Sequence, residues 1–365
     1  MTTLPVIALT AGDVSGVGPE IVLKSLCSDA VRSVCQPLVI CDPDALNRAR
    51  VLCGHSEVPL VVSVAKPLAS RQQLNELLAD AALNGSVLCV NPAGHIVEDF
   101  PKGQMHAASG EAAYQYLTTA VDFAKSGIVD GIATAPLNKA ALDAAGHHYP
   151  GHTEILAEQC GVDNFAMMLH LPESRIAPLR SLIRTSADTG EIGQHGLSVA
   201  HVTLHTSIDS VPGKLSTSSI IETARLMDNF LQRSGCERRS IAVCAFNPHG
   251  GESGLFGNEE ARIIEPAVRR SATILPNIVG PLPVDTLIRR AVAGEFDGVV
   301  AMYHDQGHIP VKLLGFDAAI NITLGLPIVR TSPTHGTAFD RAWNADTPAD
   351  PSGMIEAILM AAKLI

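Results

Sequence analysis

Short apolar runs, many of them β-branched, recur along this chain and alternate with longer amphipathic stretches. The runs fall at residues 5–10, 37–41, 59–64, 87–90, 131–134, 165–170, 198–205, 241–246 and 296–303. Stretches such as 110–125, 218–233 and 259–270 carry a helical pattern between them, and 351–365 reads as a closing helix. A run that is apolar at successive positions has no face left for water, so it suits a strand covered on both sides. Such strands, joined by helices, form a largely parallel sheet, and the alternation along the chain therefore specifies an α/β fold. The 365 residues exceed one small core and suit two domains.

Composition narrows the function classes. Hydrophobic residues make up 46% of the chain, enough for a large packed interior and too many for a disordered one. The net charge of −11 disfavours nucleic acid as a partner, while a local convergence of Lys and Arg can still hold a small anionic substrate. The longest apolar runs are strand-sized, so no membrane span is expected. The start, Met1-Thr-Thr-Leu-Pro5, lacks a basic segment and a signal-type cleavage site. The eight cysteines are scattered without a Cys-x-x-Cys pair and read as buried reduced thiols of a cytoplasmic protein. One stretch breaks the rhythm: Pro172–Gly196 is polar, Gly-containing and weakly periodic. Its length as a connection makes it a surface elaboration, an interface element or a functional loop.

Three histidines stand at or just past apolar runs. His205 closes 197–205, His249 follows 241–246, and His304 follows 298–303. In an open parallel sheet the carboxyl ends of the strands share a crevice, where three imidazoles can meet. Three histidines and an open coordination position suit a divalent metal, zinc or a harder ion completed by water. Each is also compatible with a hydrogen-bonded or capping histidine, because neither His-Glu-x-x-His nor a Cys/His cluster is present. His201, inside its run, reads as structural, and Asp305 and His308 read as supports for His304 and its loop.

Other polar residues mark further turns. The Gly-rich turn 11–20 follows the first run and opens a helix, which suits contact with a phosphate or nucleotide. It matches neither Gly-x-Gly-x-x-Gly nor the P-loop, so a plain strand-to-helix turn fits equally. His152 stands beside an expected helix start at Glu154, with Thr153 as the expected cap. Lys139 follows the run 131–134, and Lys312, Asn321 and Arg330 lie towards the carboxyl end. Lysine, amide and arginine converging on one crevice would bind carboxylate or phosphate, although each alone is compatible with a solvated residue. Asp285 reads as the N-cap of a following helix or, failing that, as a functional acid. The turn His335-Gly336-Thr337-Ala338 can hold a base and ribose, on a weak signal.

Together the segments TAGDVSGVGPEI, TAPLNKAAL, YPGHTEILAE, NPHGGESGLFGNEE, GPLPVDT, AMYHDQGHIPVKLLGF and NITLGLPIVRTSPTHGTAFDRAW resemble the PdxA family of dehydrogenases, from Ala11 to about Trp343. The resemblance implies a two-domain fold like that of isocitrate and isopropylmalate dehydrogenases, with mostly parallel sheets and an active-site cleft between domains. The expected division is 1–140 plus 300–365 on the nucleotide-binding side, and 141–299 as a central metal, substrate and dimerisation domain. It also implies a homodimer with the active site at the interface, and one divalent metal (Zn, Mg, Co or Mn) on His205, His249 and His304. Substrate contacts carry over to His152, Thr153, Lys312, Asn321 and Arg330. Asp285 and Lys139 fall in motifs expected to line the same cleft. The turn His335–Ala338 resembles an adenosine-binding turn for NAD or NADP.

The first motif departs from the family's Gly-Asp-Pro-Ala-Gly, reading Gly12-Asp-Val-Ser-Gly16. ATAPLNK, GLFGNEE and MYHDQGHIPVKLLGF are most similar to the branch acting on four-carbon sugar-acid phosphates, whereas HVTLHTSI is closer to relatives acting on aromatic dihydrodiol dicarboxylates. The resemblance thus implies oxidation and decarboxylation of 4-phospho-D-threonate, 4-phospho-D-erythronate or 4-phosphohydroxy-L-threonine. The alternatives are an aromatic cis-dihydrodiol dicarboxylate dehydrogenase and a non-enzymatic metal- or ligand-binding protein on the same scaffold.

Overall fold

The structure, a computed structural model, describes residues 4–54, 60–64, 68–94, 100–184 and 191–365. Its strands are β1 (Val6–Thr10), β2 (Gln36–Ile40), β3 (Leu60–Val64), β4 (Ser86–Val90), β5 (Gly131–Thr134), β6 (Ala166–Leu171), β7 (Leu197–His201), β8 (Ile241–Cys244), β9 (Ile278–Leu282), β10 (Gly298–Ala301), β11 (Ile320–Leu324) and β12 (Val329–Pro333). Residue 59, the first of one expected strand, lies outside the described residues. The chain forms two compact units, Met1–Asp163 with Leu326–Ile365, and Asn164–Gly325. These boundaries differ from the expected 140 and 300. The helix His152–Cys160 packs on the helix Ala107–Lys125 and so stays with the first unit, and the helix His304–Gly315 packs on β6 and β7 and so stays with the second.

In the first unit the strand order is β3-β4-β2-β1-β5-β12, and every pair is parallel. β1 is buried at all five positions, as expected of a strand covered on both faces. In the second unit the order is β11-β6-β7-β10-β8-β9. Here β7, β10, β8 and β9 run parallel, while β6 is antiparallel to both β7 and β11. The core of this unit gathers Leu169, Leu171, Val199, Val299, Leu287 and Val311 from three strands and two helices.

Three local expectations are corrected. β7 ends at His201, four residues before His205, because Thr203 turns both its N–H and its Oγ1 onto the Met302 carbonyl (3.2 and 2.8 Å) and the chain then bends away. The segment 172–196 is in large part a helix, Glu173–Ile183, whose periodicity is blurred by the internal Pro178. Its buried Arg180 is clamped by Glu173, which also accepts the Gly196 N–H (3.0 Å) and so ties the two ends of the segment together. Residues 185–190 of that segment lie outside the described residues. Finally, the cap of the helix His152–Cys160 is Gly151 rather than Thr153, and that of Val284–Val292 is Pro283 rather than Asp285.

Among the described residues no helix is long and apolar enough to cross a membrane.

Candidate active site

In the second unit β7, β10 and β8 are neighbours and parallel, so the segments leaving them emerge at one edge. His205 lies in the loop after β7 and His304 is the first residue of the helix after β10; their ring centroids are 6.0 Å apart. His249 follows β8 within a left-handed turn, residues 249–253, all with positive φ. The turn is anchored from behind by Glu260, whose buried carboxylate accepts the Phe246 and Asn247 N–H groups (2.9 and 2.7 Å). His249 faces a cavity of about 620 Å³ that it shares with Asp285, Tyr303, Asp305, Ile309 and Leu313. Among the described residues of one chain, no three His, Cys, Asp or Glu side chains form a group that could hold a metal. One chain thus brings the His205 and His304 rings near each other and does not gather them with His249 into such a group.

The tautomer of His304 follows from its partner. Asp305 Oδ1, an acceptor, lies 2.7 Å from His304 Nδ1, so that nitrogen carries the proton and Nε2 presents a lone pair. A carboxylate on one ring nitrogen and a free lone pair on the other suit a metal ligand, so the donor chemistry of this edge fits a divalent ion. Behind it, His308 stacks on His304 and hydrogen-bonds His201 (3.2 Å). Burial, with the neighbouring imidazoles and Lys312, pushes His308 down to about 3, and burial holds His201 at about 4, so both rings are neutral. Lys312 has no carboxylate partner among the described residues, and Asn321 on β11 has a buried Oδ1 with no hydrogen-bond donor on it. Asp285 is exposed, and its Oδ1 accepts the Thr286 N–H (2.9 Å).

The first unit places a different chemistry on β12 and in the segments that follow β5. Arg330 on β12 is fully buried and donates through Nη2 and Nε to Thr134 Oγ1 (2.8 and 3.3 Å). Burial lowers its guanidinium from 12.5 to about 9, with Glu154 opposing the shift. Burial of its ring, then the Arg330 cation, keeps His152 neutral, and Lys139 adds to that effect. Thr153 follows within the first turn of the same helix. Lys139 is exposed, opens the helix Lys139–Ala144 and forms no ion pair among the described residues. A buried guanidinium beside an unpaired ammonium and a helix N-terminus is a setting that favours an anion.

The His335–Ala338 turn packs on the Gly-rich turn of the same unit. Val17 donates to the Thr337 carbonyl (3.0 Å), and Trp343 Nε1 donates to the Val14 carbonyl (3.0 Å). Ala338 takes a left-handed φ of 44°. His335 Nδ1 donates to the Gly336 carbonyl (2.9 Å), which leaves Nε2 unprotonated. That Nε2, Thr334 Oγ1 and Asp13 Oδ2 are all buried and without a partner. Unsatisfied polar atoms of this kind are uncommon and fit turns whose polar ligand is absent, as a dinucleotide would be.

Sequence reasoning passed over two features of these edges. The first is Asp13, wholly buried, with its carboxyl raised to about 6 by burial against the opposing Ser15 N–H. Its only sequence sign was an acid inside an apolar Gly-rich turn. The second is the His201–His308 contact, which joins residues 107 positions apart.

Comparison with known proteins agrees with the motifs. The family model for pyridoxal phosphate biosynthetic protein PdxA matches residues 33–361. D-threonate 4-phosphate dehydrogenase of Cupriavidus necator is 42% identical, over 99% of this chain and 97% of that protein. 4-Hydroxythreonine-4-phosphate dehydrogenase of Trichlorobacter lovleyi is 41% identical, over 100% and 98%. The crystal structure of a 4-hydroxythreonine-4-phosphate dehydrogenase from Burkholderia phymatum is 42% identical and superposes with a TM-score of 0.76, covering 100% of this chain and 99% of that one. With matching motifs, a family model spanning most of the chain and full-length relatives, the chain belongs to the PdxA family.

Proposed function

We propose that the protein is an oxidoreductase that oxidises a secondary alcohol of a phosphorylated four-carbon hydroxy acid, with NAD or NADP as hydride acceptor, and then releases CO₂. The observation that carries this reading is the buried Arg330, held with neutral His152 near Lys139. A dehydrated guanidinium close to the Lys139 ammonium favours an anion, and the relatives' names specify phosphate esters.

In the first unit Arg330, His152 and Thr153 bind an anionic group of the substrate, and His335 to Ala338 receive the nucleotide. In the second unit Lys312 and Asn321 offer an ammonium and an amide oxygen to a further polar group. A divalent ion held by His205, His249 and His304 would supply Lewis acidity to the substrate oxygens. The alcohol loses a hydride and a proton, and the carbon that later loses CO₂ gains a proton, with Lys139 or Asp285 as donor. Because one chain does not gather the three histidines, we read the working form as a homodimer in which a second copy completes the metal group. The exposed apolar side chains of Ile309, Leu313 and Phe316, along the helix that begins at His304, support that reading. The free cysteines are consistent with a cytoplasmic enzyme.

The test is a substrate screen on metal-stripped protein resupplied with Zn, Mg, Co or Mn, following absorbance of the reduced cofactor. Metal-dependent turnover of a phosphorylated four-carbon acid is expected. Turnover of an aromatic cis-diol acid alone would replace the substrate assignment. Metal binding without cofactor reduction on any substrate would leave a binding protein.

A further inference from the structure

We infer that His308, seated on His201, is a positioning residue that fixes the ring plane of His304 for metal coordination. The inference rests on the reading of His304 as a metal ligand.

A histidine ring turns easily about its last side-chain torsion, which has broad, shallow minima. A ligand ring must nevertheless hold its plane so that the Nε2 lone pair meets the ion. Asp305 sets the tautomer of His304, but at an exposed site one hydrogen bond leaves the plane weakly constrained. The remaining constraint is the face of His308, parallel to His304 within 11° at a centroid distance of 3.7 Å.

That face is itself held. Met167 O, an acceptor, lies 3.2 Å from His201 Nδ1, so His201 carries its proton there and its Nε2 accepts. His308 Nδ1 lies 3.2 Å from His201 Nε2 and 3.2 Å from the His304 carbonyl; both are acceptors, so His308 also carries its proton on Nδ1. A chain of fixed tautomers thus runs from β6 through β7 to the helix bearing His304. His201 is 2% and His308 5% exposed, so water does not compete for these bonds. Gly307 allows the approach, since a Cβ there would meet His201 Nε2 at 2.3 Å. No side chain fits between the helix and the ring it rests on.

The test uses full-length protein stripped of metal. Zinc affinity is measured by competition with a chromophoric chelator, and imidazole tautomer and mobility by ¹⁵N NMR of histidine-labelled apoprotein. His308→Ala is expected to weaken zinc binding about 10- to 100-fold, the range for outer partners of metal ligands. It is also expected to broaden the His304 ring signals while leaving the proton on Nδ1. His308→Gln keeps an N–H donor without a flat face and is expected to weaken zinc binding as well; it serves if the alanine variant does not fold. His308→Phe restores the face and is expected to recover most of the affinity. Wild-type affinity in His308→Gln, or equal losses in His308→Phe and His308→Ala, would overturn the inference. If wild-type protein binds no zinc, the metal reading fails. The NMR arm still decides the brace, because unchanged His304 signals in His308→Ala or His308→Gln would dismiss it.

Discussion

Both units carry polar side chains on or just after adjacent parallel strands, but prepare them in opposite ways. In the second unit His205 is exposed and His304 half-open, and the His304 Nε2 that would meet an ion is a lone pair on a ring backed by a carboxylate and a buried imidazole. In the first unit Arg330 is a fully buried cation that the fold has already dehydrated. A neutral donor is inexpensive to present and gains its energy when the ion arrives. A buried charge costs stability continuously and returns it when an anion binds. The difference predicts which substitutions separate folding from function.

The largest effect is expected at the histidine edge. His249→Ala should lose bound metal and cofactor reduction together, with little change in melting temperature, as checked by metal analysis and steady-state kinetics. Full activity in metal-free His249→Ala protein would remove the metal from the mechanism and with it half of the comparison.

Arg330→Met sharpens the contrast in the other unit. It removes a dehydrated cation, whose burial is costly, and fills the space with apolar volume. KM for the phosphorylated substrate should rise about 100-fold or more while thermal stability holds or increases. A clear fall in melting temperature would mean that Arg330 serves the fold and not a ligand.

Asp13 gives the pH counterpart. Its carboxyl is raised from 3.8 to about 6, so ionisation opposes folding. Stability from this group is complete below pH 4, declines as pH rises through 6, and stays low above that, a loss on the order of 2–3 kcal/mol. Asp13→Asn should abolish that decline in thermal scans between pH 4.5 and 7.5. An unchanged pH profile would show that Asp13 finds a partner in solution.

The smallest expected effect is at Asp305, whose carboxylate is exposed. Asp305→Asn should weaken zinc binding by no more than about tenfold, the lower end for such outer partners, as measured by chelator competition. A larger loss would mean that tautomer control outweighs ring stacking at His304.

The legible part of this fold was local. Near-continuous apolar runs marked β1, β5, β8 and β10 to within two residues, and the 217–233 helix was visible from its apolar stripe. β9, β11 and β12 carry Gly, Pro, Asn, Thr or Arg and are not near-continuous apolar runs, although the polar character of Asn321 and Arg330 on two of them is visible. The three histidines stand out in the sequence because each lies at or past an apolar run, a one-dimensional sign. The stack of His304 on His308 was only half-visible, since the spacing of four residues suggests a shared helix face but not the His201 that seats it. Burial of Asp13 was invisible for a related reason: it depends on Pro136 and the packed turn around Thr337, far along the chain. Where a single segment sets the geometry, the sequence can be read directly; where distant segments set it, only the residue types show.

The left-handed turn at 249–253 has an evolutionary consequence. Its φ angles of 53°, 68°, 77°, 45° and 57° suit glycine, yet only two of the five positions are glycine. His249, Glu252 and Ser253 occupy a conformation that costs L-residues roughly 1–2 kcal/mol each. Selection for stability alone would drift these three positions towards glycine. A histidine kept at such a position is held there against the interest of its own backbone, so among homologous chains its loss should coincide with loss of the chemistry it serves, well before the turn itself changes.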